Sequence, residues 1–115
     1  MKVSIITVTY NSARYLQNAI QSVSHQDYPH IEYIVIDGGS TDETLAIVEQ
    51  NTYCITKWIS EKDNGMYDAI NKGMKMATGD VIGILNSDDM LASKDIITKI
   101  VAAFKEKEVD SIFGD

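Results

Sequence analysis

The feature that most constrains this chain is a fourfold alternation of short apolar runs with longer stretches whose apolar residues recur at helical spacing. The runs are KVSIITVT at 2–9, IEYIVID at 31–37, CITKWIS at 54–60 and VIGIL at 81–85. The first two are dense in β-branched residues and nearly continuous, the pattern of strands buried on both faces. The third is weaker, because Lys57 interrupts it. Between and after the runs, four helices are marked by Leu16, Ile20 and Val23 within 12–24, by Leu45 and Val48 within 41–50, by Met66, Ile70, Gly73, Met74 and Ala77 within 66–77, and by Ile97, Ile100, Val101 and Phe104 within 94–107. Ser12 stands where an N-cap belongs, Ser40 and Glu43 have the spacing of a capping box, and Thr78-Gly79 reads as a glycine cap. SIF at 111–113 reads as the start of a further strand. The order βαβαβαβαβ predicts a doubly wound α/β fold, a mostly parallel sheet with helices on both faces.

Length and charge narrow the function classes. At 115 residues the chain is one domain with one core. Ten Lys and Arg against 17 Asp and Glu give a net charge of −7, which argues against a partner held by its phosphate backbone, so no nucleic acid is expected. No apolar run approaches the roughly 20 residues that span a bilayer. Met1-Lys2 leads directly into a strand rather than a signal peptide, so the expectation is a cytoplasmic protein, at most peripheral to the inner face of the membrane. The single Cys54 leaves no disulfide within the chain and reads as a small buried apolar residue.

Ligands of open parallel sheets bind at the carboxyl ends of the strands. The segments there are Thr9-Tyr10-Asn11, Asp37-Gly38-Gly39, Glu61 to Gly65 and Asn86-Ser87-Asp88-Asp89. They would gather Asp37, Asp63, Asp88 and Asp89 on one rim, and crowded carboxylates are relieved by a hard divalent cation bound through oxygen. Magnesium or manganese suits such a site; zinc, without Cys or His nearby, does not. Each piece also has a plainer reading. Asp and Asn after a strand shape turns and cap helices, and Gly38-Gly39 makes a tight turn. His25 and His30 belong to a solvated loop, and Asp68 with Lys72 forms an ordinary i, i+4 pair on a solvent face. Tyr10 differs: a large aromatic at the mouth of a central strand is placed to stack on a base.

Taken together and in order, VSIITVTYN at 3–11, IEYIVIDGGSTD at 31–42, DNGMYDAINKG at 63–73 and GDVIGILNSDD at 79–89 resemble the GT-A fold glycosyltransferases of family 2. The third block is most similar to members that build bacterial surface polysaccharides. The resemblance implies an inverting transfer from a nucleoside-diphosphate sugar, UDP favoured, to a glycan or lipid-linked acceptor. It implies that Thr9, Tyr10 and Asn11 line the base pocket, that Asp37 bonds the base or its surroundings, that Asn86 and Ser87 border the donor, and that Asp88 with Asp89 ligates Mn2+ or Mg2+.

Three positions depart from the family pattern. Gly38 stands where many members have a second acid, Asn86 where the acidic motif often begins with Asp, and Ile70 where many carry an arginine, with Lys72 the nearest cation. The resemblance also places the acceptor site and the carboxylate base after the acidic motif. The chain is therefore expected to be the donor-binding half of a domain truncated at its C-terminal end, with no catalytic base of its own and no activity alone. A strand missing beside Val81 to Leu85 would leave an open edge, and a homo-oligomer through that edge is expected, by exchange of the 94–115 segment. The rival readings are a receiver-like signalling domain and a non-catalytic nucleotide-binding module. The receiver would need paired acids after the first strand, and Thr9-Tyr10-Asn11 has none. A sugar nucleotidyltransferase or a dinucleotide-binding domain would need a glycine-rich loop there.

Overall fold

The fold of the chain, described for residues 1–107 by a computed structural model, is built on four parallel strands. They are β1 (Val3–Thr9), β2 (Ile31–Asp37), β3 (Lys57–Ser60) and β4 (Val81–Ile84), in the spatial order β3-β2-β1-β4. The helices are α1 (Ala13–Ser24), α2 (Thr44–Gln50), α3 (Met66–Met76) and α4 (Ile96–Lys107). This is the predicted parallel α/β sheet. The expected strand at 111–113 lies outside the described residues.

Both faces of the sheet are covered, which is why β1 and β2 are apolar without alternation. Val3, Ile5, Tyr33 and Val35 point into a core completed by Leu16, Ile20 and Val23 of α1, Val48 of α2 and Ile97, Val101 and Phe104 of α4. Their neighbours Ile6, Val8, Ile34 and Ile36 point the other way and meet Ala69 of α3. Thr7, on the first face, is buried with its hydroxyl 2.8 Å from the Tyr33 hydroxyl, so neither polar atom is orphaned.

Several local expectations are corrected. The third strand begins at Lys57 rather than Cys54, because residues 51–54 complete a turn closed by Cys54 N–H donating to the Asn51 carbonyl at 3.1 Å. On α3 the inward residues are Ala69 and Gly73, while Met66 and Met74 are 58% and 48% exposed. The smallest side chains face the sheet because a Cβ at Gly73 would already stand 2.6 Å from Ile6 Cγ2. Gly79 is not a helix cap: α3 ends at Met76, and its C-cap residue Ala77 is in an extended conformation. A Cβ at Gly79 would instead fall 2.6 Å from Ser4 Oγ and 2.7 Å from Ser4 N, so the glycine serves a close backbone approach. Nor does a capping box open α2, whose N-cap position is Glu43 without a side-chain bond. His25 and His30 are exposed, as expected, and half-buried Cys54 packs against the core.

Candidate functional site

Parallel register brings the strand ends into line. Thr9 pairs with Asp37, and Asp37 with Ser60, so the segments after β1, β2 and β3 leave the sheet together. With the turn after β4 they enclose a cleft of about 1020 Å3. Of the residues singled out in the sequence, Thr9, Tyr10, Asn11, Asp63, Asn86, Ser87 and Asp88 line it, whereas Asp37 and Asp89 do not. Tyr10 is 60% exposed and Asp88 is exposed.

The Asp37 carboxylate is buried and turned into the protein. Oδ2 accepts from Gly39 N–H at 3.2 Å, Ser40 N–H at 2.9 Å and the Ser60 hydroxyl at 2.7 Å, and Oδ1 accepts from the Ser40 hydroxyl. Fully buried and absent from the cleft lining, with donors of its own chain on both oxygens, the carboxylate is not presented to a ligand, so the base contact expected of Asp37 does not match this arrangement. Its consequence is indirect. Ser40 Oγ, held by Asp37, accepts from Asn11 N–H at 2.8 Å, and Asn11 Oδ1 accepts from Thr41 N–H at 2.8 Å.

The same segment closes the start of α1. Thr44 Oγ1 accepts from Ser12 N–H at 2.9 Å, and Asp42 Oδ2 accepts from Ala13 N–H at 3.4 Å. Hydrogen bonds from the Thr44 hydroxyl and backbone N–H hold the Asp42 carboxyl below its usual range. The first donors of α1 are thus satisfied from another loop, and Ser12 makes no side-chain cap. Its hydroxyl instead donates to the Tyr10 carbonyl at 3.1 Å and lies 3.0 Å from Ser87 Oγ, tying the β1 loop to the turn after β4. Asn11, with φ at 47°, sits at the corner of this latch in the left-handed region that Asn tolerates better than most residues.

The cleft walls also contain groups that local pattern did not single out. Arg14, in the first turn of α1, and Lys62, in the β3–α3 loop, supply cationic side chains. The signal for Arg14 was its place in the turn directly after a strand end. Lys72 is no substitute, since its ammonium is 3.2 Å from Glu61 and 3.6 Å from Asp68, off the cleft. Burial would lower its pKa, and the two carboxylates outweigh that and raise it. Thr9 Oγ1 is sealed from solvent and has no hydrogen-bond partner among the described residues.

No cluster of three or more metal-ligating side chains forms among the described residues. Asp89 N–H donates to the Asn86 carbonyl at 3.0 Å, which shapes the turn and leaves Asp88 as that turn's one carboxylate on the cleft. No helix among these residues is long and apolar enough to cross a membrane.

Comparison with known proteins agrees with this architecture. Residues 4–115 match the family described as Glycosyl transferase family 2. An uncharacterized glycosyltransferase of Mycobacterium tuberculosis is 40% identical over 114 residues, 97% of this chain and 44% of the relative. A PGL/p-HBAD biosynthesis glycosyltransferase of Mycobacterium bovis is 35% identical over 116 residues, 97% of this chain and 45% of the relative. The chain therefore spans less than half the length of these curated relatives. Among solved structures, S. aureus TarS 1–349 in complex with UDP-GlcNAc superposes with a TM-score of 0.85 at 31% identity, over 94% of this chain and 32% of that one. The mannosyltransferase PcManGT of Pyrobaculum calidifontis, in complex with GDP-Man and Mn2+, superposes with a TM-score of 0.87 at 26% identity, over 94% of this chain and 33% of that one. With its sequence matched almost from end to end and its parallel sheet superposing on these enzymes, the chain belongs to glycosyltransferase family 2 and has the GT-A fold.

Proposed function

We propose that this chain binds a nucleoside-diphosphate sugar, a UDP-sugar, in the cleft and holds it for an inverting transfer to a hydroxyl of a glycan or lipid-linked acceptor, in the assembly of a bacterial surface polysaccharide. The observation that carries the reading is the composition of one cleft: an exposed aromatic, Tyr10, a carboxylate, Asp88, and the cations Arg14 and Lys62 all line it. A ring that can cover a base, two cations for phosphate oxygens and an acid for a metal are the chemistry a nucleotide sugar requires. The similarity to TarS, solved with UDP-GlcNAc, supports the donor class.

A divalent cation fits the donor set in one particular way. Magnesium and manganese take hard oxygen ligands, and in nucleotide sites one or two carboxylates suffice because the diphosphate supplies the rest. Asp88 provides such an oxygen on the cleft. The similarity to PcManGT, solved with Mn2+, supports the same reading. Bound there, the cation would neutralise charge on the departing nucleoside diphosphate. The other residues position: Tyr10 covers the base, Arg14 and Lys62 hold phosphate, and the latch through Asp37, Ser40 and Asn11 holds the β1 loop. No catalytic base is assigned to this chain, whose share of the reaction is donor binding.

A thermal-shift panel of UDP, GDP, CDP and dTDP, each with and without manganese, tests the reading. Ligand at about 100 times its dissociation constant stabilises by about 2.7 kcal/mol, roughly 10 to 20 °C for a domain near this size. The largest shift is expected for UDP with manganese, and no shift with any nucleotide would overturn the proposal. β4 ends the sheet among the described residues, which supports self-association through its edge. Light scattering is expected to show mass rising with concentration, and a monomer at high micromolar concentration would refute that part.

A further inference from the structure

We infer that Asp63 reads the base of the donor and selects uracil, a proposal that rests on the donor-binding reading above. Asp63 belongs to the β3–α3 loop, yet its carboxylate lies directly over the backbone where β2 ends. A Cβ at Gly38 would fall 2.9 Å from Asp63 Oδ2 and 3.3 Å from its Cγ. Two separate loops have therefore divided one volume, one contributing bare backbone and the other a carboxylate. Gly38 is tied to β1 by its N–H, which donates to the Thr9 carbonyl at 2.9 Å. That bond places the Asp63 carboxylate over the β1 and β2 ends, in the wall that also carries Tyr10.

The two carboxylate oxygens are not equivalent. Oδ1 accepts from Gly65 N–H at 3.1 Å, which orients the group. Oδ2 accepts no hydrogen bond among the described residues. Because Asp63 lines the cleft, its wall carries a carboxylate with one oxygen uncommitted among the described residues together with an exposed aromatic ring, edge recognition beside a stacking surface. Asp37 cannot share this role, since it is fully buried and does not line the cleft.

The chemistry of a lone carboxylate oxygen discriminates between bases. It needs an N–H and repels a lone pair. Uracil offers a single N3–H between two carbonyls and matches one free acceptor. Cytosine presents a bare ring nitrogen at that place and is rejected. Guanine presents two adjacent donors, N1–H and the N2 amino group, and is best met by both oxygens of a carboxylate side by side, whereas Asp63 Oδ1 is turned toward Gly65 N–H. A site built around a donor hydrogen bond discriminates strongly against analogues that lack it, because its own polar group is left unpaired.

The test is calorimetry of UDP, CDP and GDP with the 115-residue chain in the presence of manganese, using Asp63→Ala and the double variant Asp63→Ala/Gly38→Asp. The native chain is expected to prefer UDP. Asp63→Ala should lower UDP affinity roughly 10- to 100-fold, the range of a hydrogen bond to a charged acceptor, while CDP binding holds or improves. Gly38 has no left-handed φ, unlike Gly39 and Gly65, so its backbone accepts a side chain once Asp63 is shortened. Returning a carboxylate from that side should restore the preference for UDP over CDP, a rescue that a merely structural role for Asp63 would not produce. Equal losses for UDP and CDP, or no loss, would overturn the proposal while leaving donor binding intact. A native preference for GDP would overturn the uracil assignment. Failure of the native chain to bind any nucleotide would sink the donor reading itself, and this inference with it.

Discussion

Glu32 is the second residue of β2, at the end of the sheet opposite the cleft, and its side chain is 2% exposed. Its Oε1 accepts from Ser4 Oγ at 2.7 Å and Thr78 N–H at 2.8 Å. Its Oε2 accepts from the Thr78 hydroxyl at 2.8 Å and lies 3.1 Å from Lys57 Nζ and 3.3 Å from Lys2 Nζ. Burial alone would raise its pKa; the bonds from Thr78, Ser4 and Lys57 outweigh it and hold the carboxyl well below the usual range. Glu32→Gln keeps an oxygen for Thr78 N–H and Ser4 but turns an amide toward two ammonium groups. Because those lysines are 46% and 36% exposed and can turn to water, their share is discounted. The expected loss is about 2 kcal/mol, or roughly 10 °C in Tm, against about 3 to 5 kcal/mol for Glu32→Ala, which strands the buried donors as well.

The pH dependence has a definite sign. With the folded pKa depressed below the unfolded value of 4.5, the unfolded chain takes up the proton first. The stability that ionised Glu32 contributes is complete above that value and is lost as the pH falls from there toward the folded pKa. Urea unfolding of the native and Glu32→Gln chains between pH 7 and pH 3 should show the native chain losing stability faster below about pH 5, the gap between them narrowing. UDP affinity should be unchanged, since Glu32 is remote from the cleft. A Glu32→Gln chain within about 0.5 kcal/mol of native at pH 7, with a parallel pH curve, would refute the argument.

Two further outcomes follow from the cleft. Asp88→Ala should leave unfolding unchanged, because the residue is exposed on a turn, and should abolish the manganese dependence of UDP binding. Calorimetry with manganese and with chelator would refute the metal assignment if the variant kept the dependence. Thr9→Val replaces a sealed, unpartnered hydroxyl with a methyl group of the same shape at the end of a central strand. It should raise stability by about 1 kcal/mol in urea unfolding, and a loss of that size would show that Thr9 Oγ1 has a partner in solution.

The sequence by itself determined the parallel α/β architecture and the rim where a ligand binds. Continuous apolar runs at 3–9 and 31–37 can only be buried on both faces, and polar segments after each run must then emerge at one edge. Tyr10, Asn11, Asn86, Ser87 and Asp88 were legible as cleft residues for that reason. The tertiary structure decided what each side chain is free to do. Asp37 and Asp63 are both acids after a strand, yet the first is consumed by Ser40 and Ser60 while the second keeps an oxygen open over Gly38. α1 is closed by Asp42 and Thr44, about thirty residues along the chain, rather than by Ser12, and α3 turns Ala69 and Gly73 to the sheet in place of Met66 and Met74. The physical reason is common to all of these. Periodicity reports which face of an element is buried, whereas hydrogen-bond capacity and close approach depend on atoms brought together from distant segments, and their competition is resolved only when the sheet sets the loops side by side.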